Sequence, residues 1–141
     1  CNGTAVAEVE VDVETGAVTI LRYSMAHDSG TLINPLVVDG QVQGAAAHGI
    51  GNTLYEWMIY DDDAQPVTTT FAEYLLPSAP EVPHIDIIHH EIPTPINALG
   101  VKGVGECGTV ASAAVLISAV EDALSPFGVR ISRTPLTPSH G

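Results

Sequence analysis

Basic residues are scarce: four Lys plus Arg stand against 17 Asp plus Glu, giving a net charge of −13 with neutral histidines. A surface of that sign cannot neutralise phosphates, so nucleic acids and anionic membranes are excluded as partners. Long apolar runs are missing too. No stretch approaches the roughly 20 residues that span a bilayer, and no basic-then-apolar leader is seen. Cysteine is limited to Cys1 and Cys107, too few for a secreted disulfide scaffold. Together these absences predict an acidic cytoplasmic protein. The chain has no initiator Met and starts almost at once in a strand pattern, which reads as a trimmed chain or a piece of a larger subunit. What is present is apolar enough to fold. With 141 residues, 45% of them hydrophobic, and a mean hydropathy of +0.25, the expectation is a single domain over 1–141.

Alternation over residues 4–13 puts Ala5, Ala7, Val9, Val11 and Val13 on one face, with Glu8, Glu10 and Asp12 on the other. That period of two predicts a strand with one wet face. Glu14-Thr15-Gly16 reads as a turn, and 17–27 as the returning strand of a hairpin. Asn34-Pro35 has the form of a helix start, with Asn34 as N-cap. From there to about Trp57, apolar residues recur at spacings of three and four. This helix also carries Gly40, Gly44, Gly49 and Gly51, each costing about 1 kcal/mol relative to Ala. Omitted side chains imply close approach of a backbone or a ligand. Further on, 58–60 and 67–70 predict a second hairpin around a solvated Asp61-Asp62-Asp63 turn. Ile85, Ile87 and Ile88 predict a strand. Residues 97–108 form a glycine-rich loop, Thr109 caps a helix running to Leu124, and 129–131 make a short last strand. The class expected from this order is α+β, a mixed sheet with helices packed on it.

Gly103-Val104-Gly105-Glu106-Cys107-Gly108 matches G-x-G-x-x-G literally. A dinucleotide-binding fold requires a strand directly before that motif and an acid at the end of a following strand. Asn97-Ala98-Leu99-Gly100 is no strand, and Glu121-Asp122 fall inside a helix, so the motif fails. What is left is a bare loop that delivers one carboxylate, Glu106, beside a helix start. It could act as a general base or simply cap the helix. Cys107 as a nucleophile lacks a histidine at a recognisable spacing. His89 and His90 are adjacent on a strand and point to opposite faces, which speaks against a metal site with His84. Asn2-Gly3-Thr4 fits a glycosylation acceptor but has no meaning without secretion. Gln41 and His48 are two turns apart on one face of the glycine-rich helix, and Gln41 offers both a donor and an acceptor.

The runs HDSGTLINPLVVDGQVQGAAAHGIGNTLYE (27–56), YLLP (74–77), PTP (93–95) and GVKGVGECGT (100–109) occur in one order across nearly the whole chain. In that order the chain resembles the C-terminal part of the large subunit of the molybdenum hydroxylases, the xanthine dehydrogenase, aldehyde oxidase and aerobic carbon monoxide dehydrogenase family. The resemblance implies a molybdenum-molybdopterin cofactor, in the cytosine dinucleotide form. It implies Glu106 as the general base of a hydroxylation using water-derived oxygen, and Gln41 as a pterin contact. Gly103, Val104 and Gly105 would line the same pocket. No protein side chain would ligate the metal, which the pterin sulfurs hold. The N-terminal part of the subunit would supply the other half of the cleft, and iron-sulfur and FAD groups would sit on partner subunits. The substrate would be an aldehyde, an N-heterocycle or carbon monoxide. Position 107 is Cys where members of the family vary, and it does not imply copper. A non-catalytic remnant or assembly module of the same fold is the alternative.

Overall fold

A computed structural model describes residues 1–138. Its elements are β1 (Asn2–Val11), β2 (Val18–Asp28), α1 (Pro35–Leu54), β3 (Ile85–His89), α2 (Cys107–Val110) and α3 (Ser112–Ala123), followed by a 3-10 turn at Ser125–Phe127. The alternating apolar residues of β1 pair antiparallel with β2, from Asn2 opposite Asp28 to Val11 opposite Val18, with a bulge between Glu8 and Val9. Asp12 nucleates the turn, its carboxylate accepting the amides of Glu14 and Thr15 at 2.9 and 3.1 Å. Val13 belongs to that turn, not to the strand, and is 64% exposed. β3 joins the other edge of β2 in parallel, Tyr23 opposite Ile85 through to His27 opposite His89. The sheet order is β1-β2-β3, and it is mixed as expected.

α1 starts where the sequence places it. Asn34 Oδ1 accepts the Val37 amide at 3.3 Å, and Pro35 occupies the first turn. The helix stops at Leu54, short of Trp57: Tyr55 closes the last helical bond onto the Gly51 carbonyl at 2.9 Å, and the Glu56 amide falls back onto the same carbonyl at 2.9 Å instead of continuing the ladder. Its apolar stripe lies against the sheet. Tyr23, Ala46, Ile50, Leu54, Ile85 and Leu116 form one buried cluster, and Met25, Val38 and Val42 a second.

Three expectations are corrected. Residues 58–60 and 67–70 form only a bridged turn. Pro66 has no N–H to extend a ladder, and Ile59 donates to the Thr68 hydroxyl at 2.9 Å instead of a carbonyl. Its tip is the expected acidic turn, with Asp61 accepting the Asp63 and Gln65 amides. Residues 129–131 are not a strand, since Ile131 donates its amide at 2.8 Å to the Glu121 carboxylate on α3. Thr109 does not cap α3. The helix is split at Ala111, and the Thr109 hydroxyl donates to the Ala45 carbonyl of α1 at 2.8 Å.

Candidate functional site

The glycine-rich loop is built from its root. Asn97 clasps Val101 from both sides, its Nδ2 donating to the Val101 carbonyl at 2.9 Å and its Oδ1 accepting the Val101 amide at 3.2 Å. Val101 bridges Gly30 at the end of β2, and the Lys102 amide donates to the Ser29 carbonyl at 2.8 Å. Gly30 permits this approach: it has φ +67°, and a Cβ there would lie 2.2 Å from the Gly100 carbonyl oxygen. Beyond Lys102 the chain runs almost bare through Gly103 and Gly105 to Glu106, and α2 then turns against α1. Gly108 sits on α1 so closely that a Cβ would come within 2.5 Å of the Val42 carbonyl oxygen.

This arrangement carries Glu106 over one face of α1. Gln41, Glu106 and His48 line a cleft of about 430 Å³ whose floor includes Gly40 and Gly44. A second cleft of about 420 Å³ opens on the other side of the loop, between Gly103–Cys107 and the start of β1. Glu106 and Gly105 border both. The structure therefore brings Gln41, Gly105 and Glu106 to one groove, and Gly103, Val104, Gly105 and Glu106 to its neighbour. Glu106 stands at the N-cap position of α2, φ −113° and ψ 0°, yet its side chain makes no capping hydrogen bond. The carboxylate that the sequence allows as a cap is left at the rim.

The competing residues fall away on geometry. Cys107 Sγ donates to the Val104 carbonyl at 3.0 Å, and burial pushes its thiol up, away from a reactive thiolate. His84 is exposed beside Asp86, while His89 Nε2 lies 2.6 Å from Asp39 on α1. Among the described residues no three His, Cys, Asp or Glu side chains could hold a metal ion. No helix there is long and apolar enough to cross a membrane.

Two features were missed by sequence reasoning. Asp28 is buried at the end of β2 and pairs with Lys102. The Lys102 ammonium, helped by the amides of Gly30 and Ile92, holds the Asp28 carboxyl well below the usual carboxylate range. His27, 1% exposed, has neither ring nitrogen in a well-formed hydrogen bond, and burial pushes its pKa down. Both lie in the HDSG run, where only the local density of polar residues in an otherwise apolar strand could have marked them.

A family model described as the molybdopterin cofactor-binding domain matches residues 1–83. The chain is 44% identical over 137 residues to the 6-hydroxypseudooxynicotine dehydrogenase complex subunit gamma of Paenarthrobacter nicotinovorans, covering 96% of this chain and 17% of that one. It is 37% identical to the xanthine dehydrogenase molybdenum-binding subunit of Escherichia coli O157:H7, covering 96% and 18%. Among solved structures, quinoline 2-oxidoreductase from Pseudomonas putida 86 superposes with a TM-score of 0.96 at 43% identity, covering 99% and 18%. The chain thus spans under a fifth of the length of these relatives.

Proposed function

The chain belongs to the molybdopterin cofactor-binding domain family, and on that premise we propose that it forms one wall of a molybdenum-cofactor cleft, with Glu106 as the general base of a hydroxylation. The observation that carries this reading is the groove over α1. A Cβ added at Gly40 or Gly44 meets nothing within 4 Å, and the same holds at Gly103 and Gly105. Glycine costs about 1 kcal/mol at each helical position relative to Ala. Here it leaves a bare floor beside Gln41 and Glu106, shaped for a bulky ligand to lie against backbone. The donor set suits a pterin, because Gln41 presents an amide donor and a carbonyl acceptor to a heterocycle edge. The residues therefore fit the cofactor.

When bound, the molybdenum cofactor supplies the two-electron acceptor and the site of oxygen activation. This chain's own residues do the rest. Gln41 orients the pterin, the amides of Gly103–Gly105 line the approach, and the uncapped Glu106 carboxylate accepts the proton released as water-derived oxygen is delivered to carbon. Val110, which lines both clefts, is 80% exposed, as are Leu36 at 81% and Ile96 at 91%. Apolar surface left open on this scale belongs against another wall, the N-terminal part of the molybdenum subunit. In this reading 1–141 is one domain of that subunit, the cofactor is the cytosine dinucleotide form, and iron-sulfur and flavin groups are carried by partner subunits. The substrate class is an N-heterocycle, since the relatives above are named for 6-hydroxypseudooxynicotine, xanthine and quinoline.

The test is Glu106→Gln in the assembled enzyme, read as single-turnover reduction by substrate at matched molybdenum content. A positioned general base is typically worth about 10²–10⁴-fold, so the variant should slow by that much with its cofactor retained. Equal rates would remove Glu106 from the chemistry and leave a binding module.

A further inference from the structure

Glu106 is reached through a span with little to hold it. Gly103 and Gly105 face open space, and the Glu106 side chain caps nothing. Between the two glycines only Val104 packs, partly buried against the Met25, Val38 and Val42 cluster. The position of Glu106 is therefore set mainly by the two ends of the span. Downstream, Gly108 packs on the α1 backbone. Upstream, the backbone is tied by the Lys102 amide on the Ser29 carbonyl and by the Val101–Gly30 bridge, and the side-chain anchor is Asp28 with Lys102, whose side chains are only 6% and 19% exposed. Asp28 Oδ2 accepts the Lys102 ammonium. Asp28 Oδ1 accepts the amides of Gly30 at 2.8 Å and Ile92 at 3.2 Å. One carboxylate thus ties together the end of β2, the segment after β3 and the root of the loop. Lys102 is the only lysine in the chain.

We propose that the Asp28–Lys102 pair is the positioning device for Glu106, fixing the height of the Gly103–Gly105 span above the α1 groove. Lys102 acts through the loop and does not touch the reacting atoms. The proposal rests on Glu106 being the base, and a displacement of about 1 Å at such a group can slow a reaction by about 10²-fold. Without the pair, backbone bonds and the Asn97 clasp on Val101 alone hold the root, and the Val104 side chain and the Cys107 thiol on the Val104 carbonyl alone hold the span, leaving fewer contacts to resist that displacement.

The experiment uses the assembled molybdenum enzyme and two readouts. One is amide hydrogen exchange over residues 99–106, and the other is single-turnover reduction by substrate at matched molybdenum content. Lys102→Met should speed exchange in that segment and slow turnover by about 10²-fold with little change in KM, while Lys102→Arg recovers most of both. Removing one partner leaves a buried charge unpaired and can unfold the chain. For that case Asp28→Asn combined with Lys102→Met removes both charges, while the side-chain carbonyl that replaces Oδ1 still accepts the Gly30 and Ile92 amides. That double variant should show the same two changes. Faster exchange with unchanged turnover would overturn the proposal, reducing the pair to a structural brace. Slower turnover with unchanged exchange would also overturn it, placing Lys102 in direct contact with the chemistry. Glu106→Gln separates the two claims, since it should slow turnover and leave exchange alone. A normal rate in Glu106→Gln defeats the general-base reading, whatever Lys102→Met does to exchange.

Discussion

The glycines around α1 fall into two sets that share a sequence signature and have opposite causes. Gly49, on the inner face, and Gly108, across from it on α2, are packing glycines. A Cβ at Gly49 would lie 2.4 Å from the Ser112 side chain, and one at Gly108 would meet the Val42 and Ala46 backbone at 2.5 and 2.6 Å. Gly40 and Gly44, on the outer face, meet nothing. The helix loses the same intrinsic propensity at both kinds of site. On the inner face the loss is offset within the chain, by α1 and α2 touching backbone to backbone. On the outer face no described residue offsets it, and the proposed reading assigns the compensation to the cofactor. An unexplained open glycine thus points to something the chain does not itself contain.

Substitution should break the two sets in opposite directions. The largest effect belongs to Gly108→Ala. Its Cβ meets rigid backbone, so the helices must separate, and a loss of about 1–3 kcal/mol is expected by urea unfolding of the chain. Tyr23→Phe probes the same inner contact more gently. Ser112 donates to the Gly108 carbonyl at 2.7 Å, which leaves Tyr23 to donate to Ser112 Oγ at 2.9 Å. Losing that buried bond should cost about 0.5–1.5 kcal/mol in the same measurement. On the outer face Gly44→Ala should stabilise the chain by about 0.5–1 kcal/mol, since the Cβ is unopposed and helix propensity improves. A loss at Gly44 equal to that at Gly108 would erase the distinction.

Acidification probes two further buried groups, His27 and Asp28. Burial lowers the His27 pKa, so the unfolded chain takes up the proton first, and the stability His27 supports declines as pH falls below its ordinary value of 6.5. Asp28 follows at lower pH. Its carboxyl is held down by Lys102, so its contribution is complete above the ordinary value of 3.8 and is lost below it. The urea midpoint should therefore drop in two stages on acidification. His27→Leu should flatten the first stage and leave the second in place.

Much of the scaffold was legible because its signals are local. Alternation in β1, the Asn34-Pro35 start of α1 and the apolar spacing that follows each lie within a few residues of what they specify. The failures have physical reasons of the opposite kind. Three residues at 129–131 fit a strand, but a carboxylate on α3 claims the Ile131 amide. Thr109 has the right chemistry for a cap, and a carbonyl 64 residues away takes its hydroxyl. Asp28 and Lys102 are 74 residues apart, and no periodicity links them. The juxtaposition of Gln41 with Glu106 was likewise invisible to spacing and came only through resemblance to a family. Glycine itself hides whether its face is packed or open, since it has no side chain by which a sequence could show the difference.

The central claim is that the open face of α1 is a floor for the molybdenum cofactor. Its most direct test is Gly44→Leu in the intact molybdenum subunit, measuring molybdenum and pterin per subunit beside the unfolding midpoint. Cofactor content should collapse while the midpoint stays at or above that of the parent, because the added side chain fills the groove without touching the core. Full molybdenum and pterin content in that variant would contradict the claim.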